Sequence, residues 1–126
     1  MKQLQSNGQT LVALLIFMLV AMTITVAATA IAVINLQSNN AFASGSQALY
    51  DANSGIENAI LELERDPAYG GSTMTIGSGT ATITVSGTGS LTIVSVGSVG
   101  NFSRTVTATA TESNDLITVT GWNETP

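Results

Sequence analysis

Residues 11–34 read LVALLIFMLVAMTITVAATAIAVI, and how that stretch is solvated decides how the rest of the 126-residue chain is read. Of its 24 residues 21 are apolar, the exceptions being Thr23, Thr25 and Thr29. As an α-helix rising 1.5 Å per residue it is about 36 Å long, enough to cross a hydrocarbon core of about 30 Å. Its Leu, Ile, Val and Phe residues alone favour insertion by roughly 4–8 kcal/mol. A buried core helix is the competing reading, but residues 35–126 are too few to wrap a helix that is apolar on every face. The stretch is therefore read as a membrane helix.

The charges agree with that division. Lys2 is the only charged residue before Asp51, and all eight acids lie from Asp51 onward with Arg65 and Arg104. Lys2 is also the lone flanking cation, so the positive-inside rule places the N-terminus in the cytoplasm and the acidic bulk across the membrane. A removable signal peptide, with Ala41-Phe42-Ala43 as its small-x-small cut, is the alternative. Against it stand an apolar run far longer than about 7–15 residues and a leader, MKQLQSNG, that is polar rather than basic.

Composition removes most enzyme chemistries. The chain has no histidine and no cysteine, which excludes disulfides, thiolate metal sites and His- or Cys-based catalysis. A net charge of −5 argues against a nucleic-acid-binding surface. The expectation is a non-enzyme that carries no cofactor and no metal.

From Leu36 to Arg65 there is no proline, and the pattern becomes amphipathic. Phe42, Leu49, Ala52, Ile56, Ala59, Ile60 and Leu63 recur at steps of three, four and seven, the spacing of one helical stripe. Gln47, Asp51, Asn53, Glu57, Glu62 and Glu64 fill the polar positions. Gly45 and Gly55 are candidate bends, and Pro67 with Gly70-Gly71 ends the element.

Beyond Gly71 the composition turns to threonine, serine, glycine and valine. Alternating runs appear at Thr73–Ile76, Thr80–Val85, Leu91–Val96, Ser103–Thr111 and Leu116–Trp122, with Asn114-Asp115 as the last turn. In TATITVS, Ala81, Ile83 and Val85 fall on one face, and Thr80, Thr82 and Thr84 on the other. Period-two alternation between turn signals predicts an antiparallel meander, its apolar face on the helix stripe and its threonine face in water. A disordered or glycosylated stalk is the competing reading of so much serine and threonine. Stalks lack such regular alternation and usually contain more proline. The fold class is thus α+β, a long N-terminal helix packed on a small C-terminal antiparallel sheet.

The whole order resembles a type IV pilin or pseudopilin precursor: a polar leader ending at Gly8, the junction Gly8-Gln9-Thr10-Leu11, a long apolar helix, its amphipathic continuation and a small sheet. Asn35-Leu36 followed by AFASGSQALYDANSGIENAILEL is similar to the alanine-rich, acidic helix of X-type minor pilins. SVGSVGNFSRTVTATAT (residues 95–111) resembles a pilin turn followed by an arginine-bearing strand. Val119-Thr120-Gly121-Trp122-Asn123-Glu124 looks like the closing strand of that group. The resemblance divides the chain into a leader (1–8), a membrane and filament-core helix (9–35), an amphipathic continuation (36–66) and a sheet head (67–126).

What the resemblance implies is a precursor in the cytoplasmic membrane, cut after Gly8 by a prepilin peptidase and methylated on Gln9. Its partners are then the membrane, the peptidase and other pilin subunits in an extracellular filament. Leu11, Leu14, Leu15, Phe17, Met18 and Ile24 would pack in bilayer and filament. Phe42, Leu49, Ile56, Ile60, Leu63 and Trp122 would join helix to sheet. Typical members carry a glutamate five residues after the cut, where this chain has Ala13. K-type pseudopilins at filament tips also lack that acid, so Ala13 points to a minor or tip subunit, with a major subunit of a tolerant lineage as the alternative. The usual phenylalanine after the cut is replaced by Gln9. A secretion pseudopilin, a plain single-pass membrane protein and a secreted β-rich binding module stand as further alternatives. Adhesion, motility, DNA uptake and secretion are not separated by these residues.

Weaker motifs remain. Asp51-Ala52-Asn53-Ser54-Gly55 matches the start of a calcium loop incompletely, and Glu62 at the twelfth position falls inside the helical stripe. Glu57, Glu62, Glu64 and Asp66 are read as solvated charges rather than a paired-carboxylate site. Asn101-Phe102-Ser103 and Asn123-Glu124-Thr125 match the glycosylation acceptor pattern. Tyr69 and Trp122 are read as packing residues ahead of adhesive contacts.

Overall fold

The computed structural model describes residues 2–114 and 116–125, with side chains from Gly8 onward. Asp115 of the expected last turn and the side chain of Lys2 lie outside what is described. One helix, α1 (Lys2–Arg65), precedes five strands: β1 (Thr73–Ile76), β2 (Gly79–Thr88), β3 (Ser90–Val99), β4 (Phe102–Ser113) and β5 (Leu116–Thr125). The strands form one antiparallel sheet in sequence order, β1-β2-β3-β4-β5. The α+β class follows the sequence pattern, and a long apolar N-terminal helix followed by a small antiparallel sheet is a pilin-like architecture.

Without proline before residue 67, nothing removes a helical hydrogen bond, and α1 continues through both Gly45 and Gly55. It ends where Asp66 N donates to Glu62 O (2.7 Å) and the Asp66 carboxylate accepts from Ala68 N (3.0 Å). The hairpins close tightly because Gly77, Gly89, Gly100 and Asn114 take positive φ, as short antiparallel turns require. The strands run longer than the alternation predicts. Ser86, Gly87 and Thr88 look like turn residues, yet they pair with Thr92, Leu91 and Ser90.

Contacts divide the chain into two units, one ending at Asn39 and the other beginning at Asn40. The second unit holds the core. Ala52, Ile56, Ala59 and Leu63 of α1 meet Ile83 of β2, Leu91 and Ile93 of β3, and Val106, Ala108 and Ala110 of β4. Each large aliphatic side chain buried there stabilises the fold by roughly 1.5–3 kcal/mol. Leu49 and Ile60 pack partly buried against this cluster, with Tyr69, Met74, Val85 and Ile117.

Small residues set the helix–sheet distance. A Cβ on Gly97 would collide with the carbonyl oxygen of Ala48 and the amide nitrogen of Ala52, so helix backbone lies directly on β3. Gly55 in turn leaves room for the Ser95 hydroxyl and for Ala81. Gly55, expected as a bend, is a contact surface instead.

Three expectations about side chains need correction. Asp51, placed with the polar positions, is fully buried. It flanks the buried stripe on the β2 side, where Gly79 has no side chain and its carboxylate fills the gap beside Val99. Phe42, expected in the helix–sheet contact, is 79% exposed. Arg104 already reaches Gly45 near the β3–β4 turn, so little sheet remains to cover a residue three positions earlier. Trp122 is 45% exposed because the buried cluster draws on β2, β3 and β4, leaving the outer strand β5 mostly exposed.

Candidate functional site

The first unit is a site made of solvation rather than of reactive groups. Every described residue from Gly8 to Asn40 is exposed, including Leu11, Leu14, Leu15, Met18 and Ile24 at 54–64% and Phe17 at 72%. The most apolar 18-residue window in α1 has a mean hydropathy of 2.7, and none of it is buried within the chain. This helix is long and apolar enough to cross a membrane, as a single N-terminal anchor would.

The three hydroxyls that interrupt residues 11–34 are already satisfied. The Thr23 hydroxyl donates to Val20 O (2.8 Å), Thr25 to Ala21 O (2.8 Å) and Thr29 to Thr25 O (2.9 Å). In lipid an unpaired hydroxyl is costly, whereas one folded back onto the preceding turn needs nothing from solvent. The three interruptions in the apolar run are therefore compatible with hydrocarbon on every side.

Gly8, Gln9 and Thr10 lie within α1 and are exposed, and a Cβ on Gly8 would touch nothing within 4 Å. Ala13 presents only a methyl group on the same exposed surface. No described ionisable residue falls between Gly8 and Tyr50, so nothing near Ala13 replaces the carboxylate that the resemblance leads one to expect there.

The second unit carries the remaining candidates, and the structure does not gather them. Asp51-Ala52-Asn53-Ser54-Gly55 is helical throughout, so no calcium loop exists there. Glu62 binds Arg65 (3.3 Å) and Asp66 caps the turn at Ala68, while Glu57 stands exposed. Among the described residues no three acidic side chains converge to hold a metal ion. The acceptor Asn101 lies exposed in the β3–β4 turn, and Asn123 is exposed on β5. Tyr69 packs on the core with its hydroxyl 2.6 Å from that of Ser72.

Two features were not visible in the pattern of residues. The Asp51 carboxylate accepts from Gln47 Nε2 at 2.8 Å, but its second oxygen has no partner. Arg104 on β4 is half-buried in a cleft of about 330 Å³ between Phe42, Leu49 and Phe102. It makes no ion pair there; the one described salt bridge is Arg65–Glu62. The partnering of both side chains depends on tertiary register, which spacing along the chain does not encode.

No family model matches the chain, and neither a curated protein nor a solved structure is significantly similar to it.

Proposed function

We propose that the chain is a structural subunit of a pilus-like filament, held in the membrane as a precursor and assembled through its apolar helix. The observation that carries this reading is the apolar helix from Leu11 to Ile34, exposed on every face while the hydroxyls of Thr23, Thr25 and Thr29 are internally bonded. Such a surface requires an apolar medium. Lipid supplies it before assembly, and the helices of neighbouring subunits supply it afterwards, so transfer between the two avoids exposing the segment to water.

In this reading a leader peptidase cuts after Gly8 on the cytoplasmic side, and Gln9 becomes the methylated N-terminus. Removing the polar leader clears the end of a helix that must enter an apolar bundle. Ala13 favours a minor or tip position. A carboxylate there would need a neighbour's amino group, because a charge alone in the bilayer is expensive. A subunit with no neighbour ahead of it is better served by a methyl group.

Mass spectrometry of the mature N-terminus tests the proposal. A methylated Gln9 is expected. A chain beginning at Ser44 would make it a secreted β-rich module, and one retaining Met1 a plain membrane protein. Imaging cells that lack the chain then separates a minor from a major role: fewer or shorter filaments are expected, and loss of all filament mass contradicts a minor subunit.

A further inference from the structure

Arg104 is one of three basic residues in the chain, and among the described residues none accepts from it. It lies opposite Gly97 on the helix-facing side of the sheet and reaches to Gly45. Phe42, 79% exposed, and Phe102, 41% exposed, flank it with apolar surface. Glu124 is the acid nearest along the sheet on the same face, paired in register with Val106, and it is exposed without bonding Arg104. A half-buried guanidinium between aromatic rings suits a carboxylate that arrives from outside, since its fork can bind both oxygens while the rings exclude water.

The other end of the same unit has the opposite character. A cleft of about 280 Å³ is lined by Leu63, Glu64, Arg65, Pro67, Glu112 and Ile117. Arg65 is engaged by Glu62, so among the described residues no cation is bound to Glu64 or Glu112, which line the cleft. Nineteen helical residues separate Gly45 from Glu64, about 28 Å, and eight strand residues separate Arg104 from Glu112, about 26 Å. The two clefts therefore occupy opposite ends of one rigid helix-and-sheet body. Two copies meeting symmetrically at the Arg104 cleft would set guanidinium against guanidinium. Head-to-tail contact sets it against carboxylates and leaves each end free for a further copy, which is how open filaments propagate.

We infer that the Phe42–Phe102–Arg104 cleft receives the Glu64–Glu112 end of a second copy of this chain. This deepens the filament reading and rests on it, in the form in which copies of this chain follow one another within the filament rather than standing singly at its tip. The absence of cysteine makes a cross-linking test unambiguous. In the full chain in the cells that produce and assemble it, Ser46→Cys and Pro67→Cys place one thiol at each cleft. With a short bismaleimide the double variant should give a ladder of dimers, trimers and longer chains, while each single variant stays monomeric. Arg104→Glu should reduce the ladder at least tenfold. Adding Glu64→Lys and Glu112→Lys to it should restore the ladder, which a misfolded head would not permit. Arg104→Ala, with unchanged thermal unfolding, should weaken the ladder without reversing its charge.

Dimers from either single variant, a ladder indifferent to Arg104→Glu, cross-linking only to some other protein, or failure of the charge-reversed set to recover would each overturn the inference. The N-terminus of the same sample separates the two claims. A methylated Gln9 without a ladder sinks the docking alone, whereas Ser44 or Met1 without a ladder sinks both.

Discussion

The two parts of α1 share one secondary structure and have opposite fates. Between Leu11 and Ile34 the helix is apolar all round and every residue is exposed; between Gly45 and Leu63 it buries a stripe at Gly45, Ala48, Ala52, Ile56, Ala59 and Leu63. The difference lies in side-chain size as much as polarity. Alanine and glycine on the second part admit a sheet to backbone contact, whereas Leu, Ile, Phe and Met dominate the first half of the apolar run and offer a ridged surface for lipid tails or other helices. Hydrophobicity decides that a helix must be covered, and the size of its residues helps decide by what.

The largest expected effect comes from breaking the close approach. Gly97→Val drives two methyl groups into the Ala48 carbonyl and the Ala52 amide, neither of which can move without displacing α1. A loss of about 4 kcal/mol or more is expected in thermal unfolding of the full chain in detergent micelles. Gly8→Val, with open space around its Cβ, should leave that transition unmoved.

Isoleucine tests the same contrast without steric conflict. Ile56→Ala empties a fully buried site and should destabilise the head by about 3 kcal/mol. Ile24→Ala removes the same atoms from a side chain 64% exposed and should leave head unfolding unchanged. Equal effects from the two would mean that the first part of α1 is packed on the head after all. A cation reverses the pattern: Met22→Arg should weaken membrane insertion by about 3 kcal/mol, scored by carbonate extraction, while the head unfolds at its usual temperature.

The contrast also shows where sequence reading stops. The apolar run, the helical stripe and the strand alternation are local patterns, and each element follows from them, though the strand ends at Gly87 and Thr88 read as turns. Asp51 reads as solvated because a carboxylate beside the stripe ordinarily is; only the absence of a side chain on Gly79, distant in sequence, makes its burial possible. Phe42 and Trp122 fit the pattern but outreach the sheet or the helix that should cover them. That no described residue pairs with Arg104 is a property of register between β3 and β4 and of the helix above them, and no spacing reports it. Asp51 sharpens this point in the same unfolding assay. Gln47→Ala would leave both carboxylate oxygens unbonded in a buried site and should cost about 2 kcal/mol.

The smallest expected effect is the most specific to the apolar part of α1. Thr25 interrupts the apolar run in composition, but its hydroxyl is bonded to Ala21 O, one turn back along the same helix. Valine has nearly the same shape and no hydroxyl, so Thr25→Val removes a satisfied donor and leaves Ala21 O with its ordinary helical bond. The change in insertion should stay within about 0.5 kcal/mol, the difference between a self-bonded hydroxyl and a methyl group in hydrocarbon. Thr25→Asn is the informative companion, because an amide carries more donors and acceptors than one carbonyl can match. It should lower insertion by clearly more than the valine exchange does, with no change in the unfolding of the head. If Thr25→Val improved insertion as much as Thr25→Asn impaired it, the hydroxyl would be unsatisfied in lipid, and the first part of α1 would be less suited to hydrocarbon than its geometry implies.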